Sequence, residues 1–224
     1  ITHAALSPSG TPAWLDIARR SARALVFAEK SGLASRDILT DAAFRNAMVV
    51  HAACGGSTNL LLHMPAIAHA AGRQRMTVGD WNQVNKETPR IVDVLPNGPV
   101  GYPTAELYAA GGVPEMMLHL RKMGLLDTSV ATITGQTLGE NLEWWESSER
   151  RSSVRAFLHD VNGVDPDEIV MTPDRARSRG LTSTVMFPAG NLAPEGSVIK
   201  STAIDPTVVG EDGVYRKVGP ARVF

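Results

Sequence analysis

A chain of 224 residues, 43% hydrophobic and 20% charged, is long enough to bury a sizeable core and has the composition of an ordinary globular protein. A formal net charge of −1 gives no reason to expect nucleic acid or an anionic membrane surface as a partner. No apolar run reaches the roughly 18 residues of a membrane span, no basic, apolar leader is seen at Ile1, and one cysteine, Cys54, forbids an internal disulfide, so a reducing, cytoplasmic setting is expected.

Thr11 and Pro12 predict the start of a helix, as cap and first helical residue. Trp14, Ile17, Ala18, Leu25 and Ala28 recur at helical spacing over 13–30, and Gly32 stops the pattern. Arg19, Arg20 and Arg23 form its solvated face. Thr40-Asp41 opens a second helix through Val50. A third is expected from about Thr58 to Ala70, with Pro65 inside it removing one hydrogen bond. Thr77 and Asp80 read as a capping box for a short helix to about Asn85. Pro89, Pro96, Pro99 and Pro103 punctuate a loop-rich stretch in which Ile91–Leu95 is a strand candidate and Asn97-Gly98 a turn. Gly111 to Glu115 opens a helix whose Met116, Met117, Leu120 and Met123 read as core filler, ending at Gly124. Val130–Thr134 alternates like a strand. Thr137 and Glu140 form a second capping box, for a helix carrying Trp144 and Trp145, and residues 146–155 read as charged and exposed.

Capped helices separated by short apolar runs predict an α/β body over residues 1–180, in layers with helices covering a largely parallel sheet. Residues 163–183 mix Asp, Pro and Arg and read as a connector between two domains. Residues 181–224 read as a linker followed by strands. Ser197–Ile204 is a strand, Asp212-Gly213 a hairpin signal, and Val214–Val218 the return. A half-built sheet from Gly196 to Phe224 leaves an open edge, which predicts a homo-oligomer or a mobile tail. Ile1 in place of Met and the apolar finish at Phe224 predict a piece of a longer protein.

The stretch around which the chain is organised runs from His51 to Gly72. Gly55 and Gly56 permit unusual backbone angles and close approach to the main chain. Ser57, Thr58 and Asn59 are the types that cap a helix start. Two readings stand: an anion-facing turn for a carboxylate or phosphate, using amides and the helix dipole, or an ordinary loop-to-helix junction. Cys54 reads as a small buried residue. His63 and His69 are six apart, not the three or four that share a helix face, and His3, His51, His119 and His159 are scattered, so all six read as structural. Asp165 and Asp167 read as solvated.

Gly55-Gly56-Ser57-Thr58-Asn59, with Leu62-His63, Ala66-Ile67-Ala68 and the preceding Val49-Val50-His51-Ala52-Ala53, resembles the signature of the dihydroxyacid dehydratase and phosphogluconate dehydratase family, in its aldonate (D-xylonate) branch. Gly190 to Gly196 with Lys200 resembles the opening of that family's β-rich C-terminal domain, and Gly219 to Phe224 a part further along. The resemblance implies a hydro-lyase that removes water from a sugar acid, a 2,3-dihydroxy acid, to give a 2-keto-3-deoxy acid. It also implies an iron–sulfur cluster on three cysteines and a nearby Mg²⁺ on carboxylates, with a metal polarising the leaving hydroxyl and a base taking the proton beside the carboxylate. It covers a middle part of the family's length. The cysteines and an Asp-Lys metal motif would lie before Ile1, and the serine base after Phe224. Cluster ligation takes several thiolates, so this chain alone is expected to bind no cluster and to lack dehydratase activity. No residue here then has a catalytic, cofactor or metal role, and Ser57, Thr58 and Asn59 are the substrate-binding candidates. The competing hypothesis is a non-catalytic anion-binding or interaction domain on the same scaffold.

Overall fold

The computed structural model describes residues 6–216 and 218–220. His3, Lys217 of the expected return strand and Ala221–Phe224 of the later match Gly219–Phe224 lie outside the described residues. Helix α1 (Pro12–Lys30) begins where Thr11 Oγ1 accepts a hydrogen bond from the Trp14 amide at 3.2 Å. Only Ile17 and Ala28 of its predicted stripe are buried, while Trp14 and Leu25 face solvent. The apolar residues Trp14, Leu15, Leu25, Val26 and Phe27 are spread too widely around the cylinder for one packed face to cover them.

After the single turn α2 (Ser35–Ile38) comes the central helix α3 (Asp41–Cys54), capped by Thr40 on the Ala43 amide. Its Phe44, Met48, Val49, Ala52 and Ala53 are buried, and it packs on α5 (Val78–Glu87) and α7 (Gly112–Lys122). Between α3 and α5 lies α4 (Leu60–Ala70), with Pro65 in its interior. Both capping boxes form. Thr77 and Asp80 start α5, and Thr137 and Glu140 start α8 (Leu138–Ser147). The short α6 (Thr104–Ala109) precedes α7, and α9 (Glu149–Asn162) follows α8, capped by Ser148. The stretch 146–155 is not simply an exposed charged run. Arg151 Nε and Nη2 donate to the buried Glu115 carboxylate at 2.7 and 2.8 Å, and Arg155 Nη1 donates to Ala110 O at 2.7 Å.

The largely parallel sheet expected from the sequence is absent among the described residues. The one sheet found there is a two-residue antiparallel pair, β1 (Val185–Met186) with β2 (Ile199–Lys200). Ile91–Leu95 crosses the core as an extended segment and pairs antiparallel with Ile169–Met171. Met171 N donates to Ile91 O at 2.8 Å and Asp93 N to Ile169 O at 3.0 Å. Pro89 and Pro96 flank it without an N–H, so the ladder stops after one bridge. Val130–Thr134 folds back on Gln136–Leu138 as a tight hairpin instead of joining a sheet. The expected connector 163–183 also belongs to the body. Its Ile169, Val170 and Met171 are buried, and α10 (Pro173–Ser178) follows them. The body is therefore helix-rich with minor strand content.

Towards the end, the Asp212-Gly213 hairpin forms, with Gly210 N donating to Val214 O at 2.9 Å and Arg216 N to Val208 O at 2.7 Å. The expected strand Ser197–Ile204 is cut short by a 3-10 turn at Ser201–Ala203. No helix among the described residues is long and apolar enough to cross a membrane.

Candidate functional site

Helix α3 ends at Gly55, whose φ of 70° is left-handed. Gly55 N donates to Ala52 O at 3.3 Å and Gly56 N to His51 O at 2.9 Å, closing the C-terminal cap. Both glycines are required, for different reasons. A Cβ on Gly55 would meet Thr184 Cγ2 at 2.9 Å in a conformation L side chains avoid, and a Cβ on Gly56 would meet His51 Cδ2 at 2.3 Å. The glycine amides are thus engaged inside the chain and are not available to an anion.

His51 lies beneath the turn, buried, with Nε2 2.8 Å from Ser57 O. A carbonyl only accepts, so Nε2 carries the proton. Nδ1 is buried without a partner among the described residues, and the ring stands edge-on to Trp81 at 5.3 Å. Burial holds His51 below the ordinary imidazole value, and the Lys200 charge acts in the same direction.

On the other side of the turn Lys200 Nζ donates to Gly55 O at 2.9 Å, Gly56 O at 2.7 Å and Thr184 Oγ1 at 3.2 Å. Asn97 Nδ2 also donates to Gly55 O, at 2.8 Å, and Asn97 Oδ1 accepts from Thr202 Oγ1 at 2.6 Å. Buried Arg90 donates from Nε to Val92 O at 3.2 Å and from Nη1 to Thr182 O at 3.4 Å. Burial lowers the proton affinity of both Arg90 and Lys200. It raises that of the Cys54 thiol, which stays protonated.

Ser57 Oγ accepts from the Asn59 amide at 3.2 Å, and Asn59 occupies the α4 cap position without a side-chain cap bond. Leu60 N donates to Ser57 O and Leu61 N to Thr58 O. The Ser57 and Thr58 amides have no acceptor among the described residues. Ser57 and Asn59 are exposed and line a cavity of about 870 Å³ beside α3, α4, α7 and α8, together with Asn46, His51 and His63. Thr58 is half-buried and does not line it. The remaining walls are mostly apolar, from Leu60, Met117 and Leu142 among others.

Lys200, Asn97 and Arg90 were not singled out as site residues by sequence reasoning. The available signal was weak: Lys200 closes the second motif, Asn97 reads as a turn, and Arg90 is a lone charge between Pro89 and an apolar run. Neither metal group implied by the resemblance fits the residues present. Cys54 is the one cysteine, and no three His, Cys, Asp or Glu side chains cluster as ligands among the described residues.

The family pattern described as dihydroxy-acid/6-phosphogluconate dehydratase N-terminal matches residues 1–141. D-xylonate dehydratase YagF of Escherichia coli (strain K12) is 59% identical over 224 residues, all of this chain and 34% of that protein. D-xylonate dehydratase YjhG of the same strain is 58% identical over the same span. A dihydroxy-acid dehydratase of Moorella thermoacetica is 40% identical over 188 residues, 84% of this chain and 29% of that protein. The chain spans about a third of the length of the curated relatives it matches.

Proposed function

Because the chain belongs to the dihydroxy-acid/6-phosphogluconate dehydratase family, we propose that it is part of a hydro-lyase that dehydrates a sugar acid, an aldonate such as D-xylonate, to a 2-keto-3-deoxy acid. The observation that carries this reading is the 59% identity to a D-xylonate dehydratase over all 224 residues. In the reaction the proton on C2 and the hydroxyl on C3 leave as water, and the enol that remains tautomerises to the keto acid. The iron–sulfur cluster and Mg²⁺ that the family resemblance implies would supply Lewis acidity to such an elimination; in this reading their ligands, and the proton-transfer base, lie outside this chain. Residues 1–180 are then part of the α/β dehydratase domain and 181–224 the linker and first strands of the next, in a cytoplasmic homo-oligomer.

The role left to this chain is binding. We assign Ser57, Thr58 and Asn59 to the substrate carboxylate. Two amides without acceptors, at Ser57 and Thr58, precede an 11-residue helix whose dipole favours an anion. The Ser57 hydroxyl adds a third donor. Full-length protein incubated with D-xylonate is expected to release a 2-keto-3-deoxy acid, read by carbonyl derivatisation, and residues 1–224 alone to release none. Failure of the full-length protein on D-xylonate, D-gluconate and related aldonates would overturn the reading. Ser57→Ala in that protein, which removes the hydroxyl donor, is expected to raise KM with little change in melting temperature. Earlier melting with normal turnover would make the turn scaffold alone.

A further inference from the structure

We propose that Lys200 is a positioning residue, which aims the Ser57 amide at the anion while His51 aims that of Thr58. The proposal rests on the reading of this turn as the carboxylate site. An ammonium has three N–H donors, and those of Lys200 reach three protein oxygens, Gly55 O, Gly56 O and Thr184 Oγ1, at 2.7–3.2 Å. No carboxylate is among its partners, and its donors are fully used, so it acts on the backbone and not on a ligand.

The consequence follows from peptide geometry. A trans peptide is planar, with its C=O and N–H pointing in opposite directions. Holding Gly56 O against Lys200 therefore turns the Ser57 N–H away from Lys200. Holding Ser57 O against His51 Nε2, at 2.8 Å, likewise turns the Thr58 N–H away from His51. These are the two amides of the turn without acceptors. A cation on the carbonyl also polarises the peptide, which makes the opposite N–H a better donor. Gly56 lacks a side chain to resist this orientation, and Asn97 Nδ2 on Gly55 O steadies the preceding peptide.

The test uses full-length protein carrying Lys200→Met, with crystal structures and kinetics compared against wild type. The expected result is a rotated Gly56–Ser57 peptide and a KM for D-xylonate raised at least tenfold with kcat within about threefold, as removal of uniform binding requires. A turn unchanged in the variant overturns the proposal whatever the kinetics, and so does a rotated peptide with unchanged KM. Should the Met variant not fold, Lys200→Arg serves: its planar fork cannot reproduce three convergent donors, and a smaller rise in KM with a partly shifted turn is expected. Wild-type protein inactive on every aldonate removes the carboxylate reading and leaves the clamp to be judged on the structures alone. In that case the variant's turn geometry still separates a failed function from a failed clamp.

Discussion

Gly56 and His51 share a space that admits no added methyl group. The Cβ of an alanine at 56 would sit 2.3 Å from His51 Cδ2, far inside the contact distance of two carbon atoms. Gly56→Ala must therefore push His51 off Ser57 O, and we expect a loss of about 1–3 kcal/mol of stability, read from urea midpoints. His51 also makes a pH prediction. Burial holds its folded value below the ordinary imidazole range. As pH falls below about 6.5 the unfolded chain takes up the proton first. The stabilisation is complete above that pH and is lost as pH falls through the folded value. Stability is thus expected to decline from pH 7.5 to 5. His119, lowered by burial as well, adds to the same slope. His51→Gln keeps a donor for Ser57 O and should flatten the pH profile. An unchanged slope in that variant would assign the effect to His119 or other groups.

Three helices meet at Glu115. Its carboxylate, from α7, takes two hydrogen bonds from Arg151 on α9 and one at 3.4 Å from Trp145 Nε1 on α8. Arg151→Met leaves that buried charge with Arg155 at 3.7 Å as its nearest remaining cation. A cost of about 3 kcal/mol is expected in denaturant unfolding, and Glu115→Gln combined with Arg151→Met should cost less than the sum of the two single changes. Nothing in the sequence marks Glu115, because its partner lies 36 residues away. The two capping boxes were legible because all their atoms lie within four residues: Thr137 Oγ1 takes the Glu140 amide and Glu140 takes that of Thr137. Thr137→Ala should accordingly cost about 1 kcal/mol. Strand pairing lacks such locality. Ile91–Leu95 was recognisable as extended, but its partner Ile169–Met171 sits in a stretch whose Asp, Pro and Arg content reads as a connector. The site divides in the same way. The glycine pair and the Ser-Thr-Asn run announce a turn, whereas two of the side chains that set its geometry, Asn97 and Lys200, come from far along the chain.

At the scale of the molecule, large apolar side chains remain in solvent. Leu62 is 73% exposed and Ile67 46% on α4, and Leu25 is 66% exposed and Phe27 47% on α1. Uncovered apolar surface of this kind drives association. The 224-residue chain is expected to sediment above monomer mass with concentration dependence, and Leu62→Glu with Ile67→Lys to shift it towards monomer; a wild-type monomer at high concentration would refute this. The Lys200 clamp has a further consequence, in the time order of synthesis. Lys200 lies 145 residues after Gly55. At about 5–20 residues per second, a ribosome needs on the order of ten seconds or more between them. Through that interval α3, α4 and the Glu115 junction can assemble while the glycine turn still lacks its clamp. The turn therefore takes its final shape late, after the body that carries it, and a pause in translation before codon 200 would prolong the unclamped state without hindering the helices.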